Sequence, residues 1–109
     1  MAYDEALANR VRAALLRRKG VAEKKMFGGV CFMVNGHMCC GVTGKLLVVR
    51  LGAEGTKKAL KEPHTREMDF TGRVMKNLLF VDANGTKSAA QLRSWVQRAC
   101  DFVKSHPDK

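Results

Sequence analysis

Two apolar runs, residues 30–34 and 37–42, flank the dipeptide Asn35-Gly36. Both central positions of a two-residue type I′ turn need positive φ, which Asn and Gly adopt at little steric cost, so the spacing predicts a β-hairpin. A turn of that length sets Val34 opposite His37, Phe32 opposite Cys39 and Cys31 opposite Cys40. One face of the hairpin then carries Val30, Phe32, Val34 and Cys39, and the other carries Cys31, Met33, Met38 and Cys40. Both faces are apolar. A sheet with water on one side alternates apolar and polar residues, so this hairpin should be covered on both sides, by helices, by other parts of the chain or by a second copy.

The surrounding sequence supplies candidates for that cover. Leu7, Val11, Ala14 and Leu15 fall on one helical face behind Asp4, with Glu5, Asn9, Arg12 and Arg17 on the other, which predicts a capped amphipathic helix ending before Gly20. Acid at its start and Arg17, Arg18 and Lys19 at its end complement the helix dipole. Gly28-Gly29 marks a bulge or bend ahead of the first strand, and a turn near Thr43-Gly44 leads into residues 46–51 to complete a three-stranded antiparallel meander. Residues 53–60 read as a short helix stopped before Pro63, with Lys57, Lys58 and Lys61 on its wet side. Residues 67–70 and 78–81, joined by a turn at Thr71-Gly72 and closed by residues 82–85, read as two further strands. Ser88 and Gln91 form a capping box for a final helix whose buried face is Leu92, Trp95, Val96, Ala99, Phe102 and Val103, running to about Ser105. The order α-β-β-β-α-β-β-α predicts one two-layer α+β domain over residues 1–109, built on an antiparallel sheet of about five strands.

A chain of 109 residues suffices for one core, and 20 Lys and Arg against 10 Asp and Glu leave a formal charge of +10. Charge speaks to partners rather than to fold, and this sign favours acidic ones such as nucleic acid. No apolar stretch approaches the ~20 residues of a membrane-spanning helix, and the start, Met1-Ala2-Tyr3-Asp4-Glu5, is unlike a secretory signal. A cytoplasmic protein without membrane contact is expected.

Chemistry-bearing residues are few. Cys31, Cys39, Cys40 and Cys100 lack the paired spacing of a zinc site and read as small core residues. In the inferred register Cys31 and Cys40 stand close enough for a cross-strand disulfide, which a reducing compartment disfavours. His37 and Cys39 share a strand face, yet no second ligand pair accompanies them, so no metal is expected. Gly44-Lys45 is not a phosphate loop, because Cys39 occupies the place of the earlier glycine and Leu46 that of the Ser or Thr. No cofactor and no catalytic residue emerge. Arg50 interrupts the apolar run 46–51 and requires either solvent or a carboxylate, for which Asp69 is the candidate in a structural ion pair. The basic clusters at Arg17, Arg18 and Lys19, at Lys24 and Lys25, at Lys57, Lys58 and Lys61, and at Arg66, Arg73 and Lys76 would grip phosphates only if one face gathered them. Otherwise they form a solvated surface.

Several separated motifs in order resemble the amino-terminal domain of the TfoX/Sxy family: Lys24-Lys25-Met26-Phe27-Gly28-Gly29, Met38-Cys39-Cys40-Gly41-Val42, Val49-Arg50-Leu51-Gly52 and Met68-Asp69-Phe70-Thr71-Gly72-Arg73, followed by Trp95-Val96 and residues 102–107. The likeness covers nearly the whole chain. It implies a compact α+β domain with an antiparallel sheet, found in regulators of bacterial natural competence. Full-length TfoX-like proteins add a carboxy-terminal domain and work with the cyclic-AMP receptor protein at competence promoters, whereas this chain is expected to be the domain standing alone. Where the family pattern often reads Gly-Arg-Pro-Met-Lys, Val74 takes the proline position between Arg73 and Met75, which loosens the backbone and keeps the charges. The resemblance brings no catalytic residues with it.

The expected function is therefore a non-enzymatic regulatory module that contacts protein partners of the transcription machinery. Its expected surface is Lys24, Lys25, Met26, Phe27, Gly28, Gly29, Asp69, Thr71, Gly72, Arg73 and Lys76, where charge meets turn glycines on a scaffold. Gly28, Gly29 and Gly72 fit plain bends equally well. Direct nucleic-acid binding is the second expectation, a thiol-dependent enzyme the third, and the two apolar sheet faces suggest a homodimer.

Overall fold

The Asp4 side chain accepts the Leu7 N–H at 3.1 Å and so starts the first helix, α1 (Glu5–Ala14). The computed structural model describes residues 3–16, 20–26, 29–70 and 73–105. Four strands follow α1: β1 (Val21–Met26), β2 (Gly29–Val34), β3 (His37–Thr43) and β4 (Leu46–Arg50). Then come helix α2 (Gly52–Ala59), strands β5 (Thr65–Phe70) and β6 (Arg73–Val81), a 3-10 turn (Ala83–Thr86) and helix α3 (Ala89–Ser105). The α+β class holds, with six strands among the described residues where about five were expected. The addition is β1, whose residues 22–25 are all exposed and so carry no apolar alternation to announce it.

Asn35 at φ 53° and Gly36 at φ 83° make the expected hairpin turn, and Val34 pairs with His37. Beyond Met33 the register differs from the simple one. A β-bulge shifts it, so Phe32 pairs with Cys40 and Cys31 with Gly41. Cys39 is the extra residue, and Cys31 and Cys40 are not opposite each other. The bulge turns two consecutive side chains inward: Cys39 and Cys40 are both fully buried.

The sheet is antiparallel throughout, in the order β1-β2-β3-β4-β6-β5. Phe32, Val42, Leu47, Val49, Leu79 and Val81 belong to one buried cluster with Val11 and Leu15 of α1 and Leu92, Trp95, Val96 and Val103 of α3. Ala59 of α2 joins that cluster. At the start of α3 the capping box forms as expected, with the Ser88 N–H donating to Gln91 Oε1 at 2.9 Å and the Gln91 N–H to Ser88 Oγ at 3.0 Å. A second, smaller cluster has buried Val48 and Leu78 at its centre, with half-buried Met38 and Phe80 packed around them. Register puts these four side chains on the face opposite Leu47 and Val49, so the second apolar face is screened in part by its own neighbours.

Candidate functional site

Strand β1 ends the sheet on one side, pairing only with β2 among the described residues. Lys24 lies opposite Cys31 and Lys25 opposite Val30, and both lysines are exposed. The strand is tied to α1 by Arg12, which donates from Nε to Glu23 Oε2 at 2.6 Å and from Nη2 to Glu23 Oε1 at 2.8 Å. The same guanidinium bonds Asn9 and stands 5.7 Å from the centre of the Phe32 ring. The ladder with β2 places the edge, and this fork adds a side-chain tie from it to α1.

The hydrogen bond from Arg12 lowers the Glu23 pKa, against an opposing push from burial. A carboxylate depressed in the fold adds stability above its unfolded value, about 4.3, and loses it as pH falls through the folded value. With 42% and 38% of the two side chains exposed, water screens the pair and its contribution stays below about 1 kcal/mol. Glu23→Gln should therefore cost little at pH ~3 and a few tenths of a kcal/mol at pH ~6. Urea unfolding at the two pH values checks this, and an equal cost at both would contradict it.

The rest of the expected surface is not continuous with this edge along the sheet. Phe27, Gly28, Thr71 and Gly72 lie outside the described residues, as do the side chains of Met26, Asp69, Arg73 and Lys76. The backbone still places the segments. Lys25 shares a row with Val30, Val42, Leu47 and Val81, whereas the 69–74 pairing lies seven residues along β6 at the other end. Four strand spacings of ~4.8 Å and seven rises of ~3.3 Å separate them in a flat sheet. They occupy diagonal corners. Gly29 is buried within β2 and forms part of the scaffold rather than of an exposed surface.

Arg50 and Asp69 are set apart by the same topology. Arg50 pairs with Leu78 on one side of β6, and Asp69 with Val74 on the other, so a whole strand and four residues along it intervene. The Arg50 guanidinium instead sits 5.6 Å from the Phe102 ring of α3 and donates to the Met38 carbonyl at 3.4 Å. The remaining basic groups disperse: Lys57, Lys58 and Lys61 are exposed along and just after α2, and Arg66 lies 5.7 Å from the Phe80 ring on β5's side of β6. Arg17, Arg18 and Lys19 lie outside the described residues.

An open cleft of about 170 Å³, which no sequence motif announced, lies between α3 and the turn before β5. His64 lines it at φ 67°, in the left-handed region, with its carbonyl accepting the Asp82 N–H at 2.9 Å and its Nδ1 3.6 Å from Asp82 Oδ1. Opposite, Arg98 forks onto Glu62 at 2.7 and 3.2 Å and stacks 4.2 Å from the Trp95 ring. Asp82 Oδ1 also accepts the N–H groups of Asn84 and Gly85, so this carboxylate caps the 3-10 turn. Arg98 and Glu62 satisfy each other and Asp82 is held by the 3-10 turn, whereas the His64 ring makes no hydrogen bond to Asp82 at 3.6 Å. The distance of these groups in sequence left nothing local by which to find them.

All four cysteines are buried, and none is in a disulfide. Burial pushes the Cys31 thiol up, away from thiolate chemistry. The sulfurs that meet are Cys39 and Cys100, 3.4 Å apart. Among the described residues no group of three or more His, Cys, Asp or Glu side chains could hold a metal ion, and no helix is long and apolar enough to cross a membrane.

Fold and site together define a small α+β module, with three α-helices among the described residues packed on one antiparallel sheet that has a basic edge strand. The family model for the TfoX N-terminal domain matches residues 13–103, and the chain belongs to that family. No curated protein and no solved structure matches it.

Proposed function

We propose that the chain is a non-enzymatic regulatory binding module, acting in transcriptional control, of which competence is one form, by docking a protein partner along the β1 edge. The observation that carries this reading is the edge itself: a strand with a neighbour on one side among the described residues, four consecutive exposed residues and two adjacent lysines. An edge strand offers unpaired N–H and C=O groups to an added strand, and Lys24 and Lys25 select an acidic one. Lysines on an edge also discourage indiscriminate pairing, so the same residues favour one partner over self-association. The double variant Lys24→Glu, Lys25→Glu should fold as wild type, judged by circular dichroism and urea midpoint, and lose recovery of the transcription protein that the tagged wild-type chain retains from its host. Undiminished recovery by the folded variant would remove β1 from the interaction.

The excess of positive charge supports a second reading, direct binding of nucleic acid. Fluorescence anisotropy with duplex and single-stranded DNA decides it: affinity must fall steeply with salt, and no binding at low salt excludes it.

A further inference from the structure

We infer that Cys39 and Cys100 are a modification site, a dithiol pair that a small oxidant closes into a disulfide stapling α3 to β3. The inference is independent of the docking reading above. The two sulfurs are 3.4 Å apart, about 1.3 Å beyond an S–S bond of ~2.05 Å, a gap that small side-chain rotations cross. Their proximity has a specific structural cause. The bulge in β3 inserts Cys39 as an extra residue and aims it at the helix face, where regular alternation would have sent one of Cys39 and Cys40 to the far side of the sheet. On α3, Cys100 follows Ala99 on the buried face, with Val103 one turn on. The other two cysteines have no such geometry toward each other, since Cys31 pairs with Gly41 and Phe32 with Cys40, so register sends Cys31 and Cys40 to opposite faces.

Hydrogen peroxide is an oxidant small enough to reach the pair. Cys100 is 4% exposed as a residue against 0% for Cys39, and in the proposed step it reacts first. Its thiolate attacks one peroxide oxygen, the O–O bond breaks and hydroxide leaves, giving a sulfenic acid. The Cys39 thiol then loses its proton, its sulfur attacks the Cys100 sulfur and the S–O bond breaks. The S–S bond forms and water departs. Overall two thiols give up two protons and two electrons, and one peroxide becomes two waters. The closed loop spans a separation of 61 residues, so the unfolded chain loses much freedom when the bond forms.

Native protein treated with peroxide should lose the mass of two hydrogens and, once unfolded, take up two alkylating labels where untreated protein takes four. Peptide mapping should join the Cys39 and Cys100 peptides, and a dithiol reductant should restore all four labels. The thermal midpoint of the oxidised form should rise by on the order of 10 °C. Cys39→Ala and Cys100→Ala should each abolish the link, whereas Cys31→Ala should keep it. If a variant fails to fold, the peptide map of the wild-type chain decides alone. Four free thiols after treatment, sulfur over-oxidation without cross-linking, or a map joining any other pair would overturn the assignment.

Discussion

Phe32→Ala should lower the unfolding free energy by about 3–5 kcal/mol, a large share of the roughly 5–15 kcal/mol that holds a domain of this kind together. Among the described residues Phe32 is the largest fully buried side chain, and it stands on the row that joins Glu23 of β1 to Cys40 of β3. Its ring also receives the Arg12 guanidinium, which is the group that fixes Glu23. Truncation thus removes apolar burial, leaves a void the backbone ladders cannot close, and slackens the tie between α1 and the edge strand. Urea unfolding should show a lower midpoint with an unchanged slope, and the thermal midpoint should drop by roughly 15 °C or more. Phe32→Leu, which keeps most of the volume, should lose less than half as much. A loss within about 1 kcal/mol for the alanine variant would mean that the core does not rest on this ring.

The features legible in the sequence are those whose physics is local. Asn35-Gly36 dictates a turn by backbone sterics alone, Ser88 and Gln91 satisfy each other's backbone across three residues, and α3 repeats its apolar face at the helical period. What escaped reading depends on groups far apart in the chain. Strand β1 is recruited by the free backbone groups of β2, and its own side chains carry no alternation. The bulge in β3 leaves no compositional trace, because Cys39 and Cys40 are the same residue in a hairpin apolar on both faces, and a register slip exchanges like for like. The strand order hid the fate of Arg50. The connection through α2 brings β6 rather than β5 beside β4, so the carboxylate of the next strand in sequence falls one strand too far away.

The same distinction separates the two halves of the docking surface that the motifs suggested. Lys24 and Lys25 lie exposed on the edge strand, but Gly29, four residues on from Lys25, is set by the ladder. A Cβ built at Gly29 falls inside the van der Waals shell of the Val42 carbonyl oxygen, with the Val42 carbonyl carbon and the Thr43 Cα each 3.0 Å away. All three atoms are backbone, so no rotamer change relieves the overlap. The β2–β3 ladder must part.

Gly29→Ala should therefore cost about 3 kcal/mol or more, although the backbone at Gly29 is not in the left-handed region and alanine suits it conformationally. Gly44→Ala is the informative contrast. Gly44 has φ 55° but open space around it, so its cost is the left-handed strain of about 1–2 kcal/mol and nothing more. Denaturant unfolding should rank the two in that order. If Gly29→Ala proves as stable as the wild-type chain, the approach of Val42 is looser than the structure has it and Gly29 is free to serve a partner. If the order holds, loss of partner recovery in a Gly29 variant reports a parted sheet, and the docking proposed at β1 is tested instead through Lys24 and Lys25.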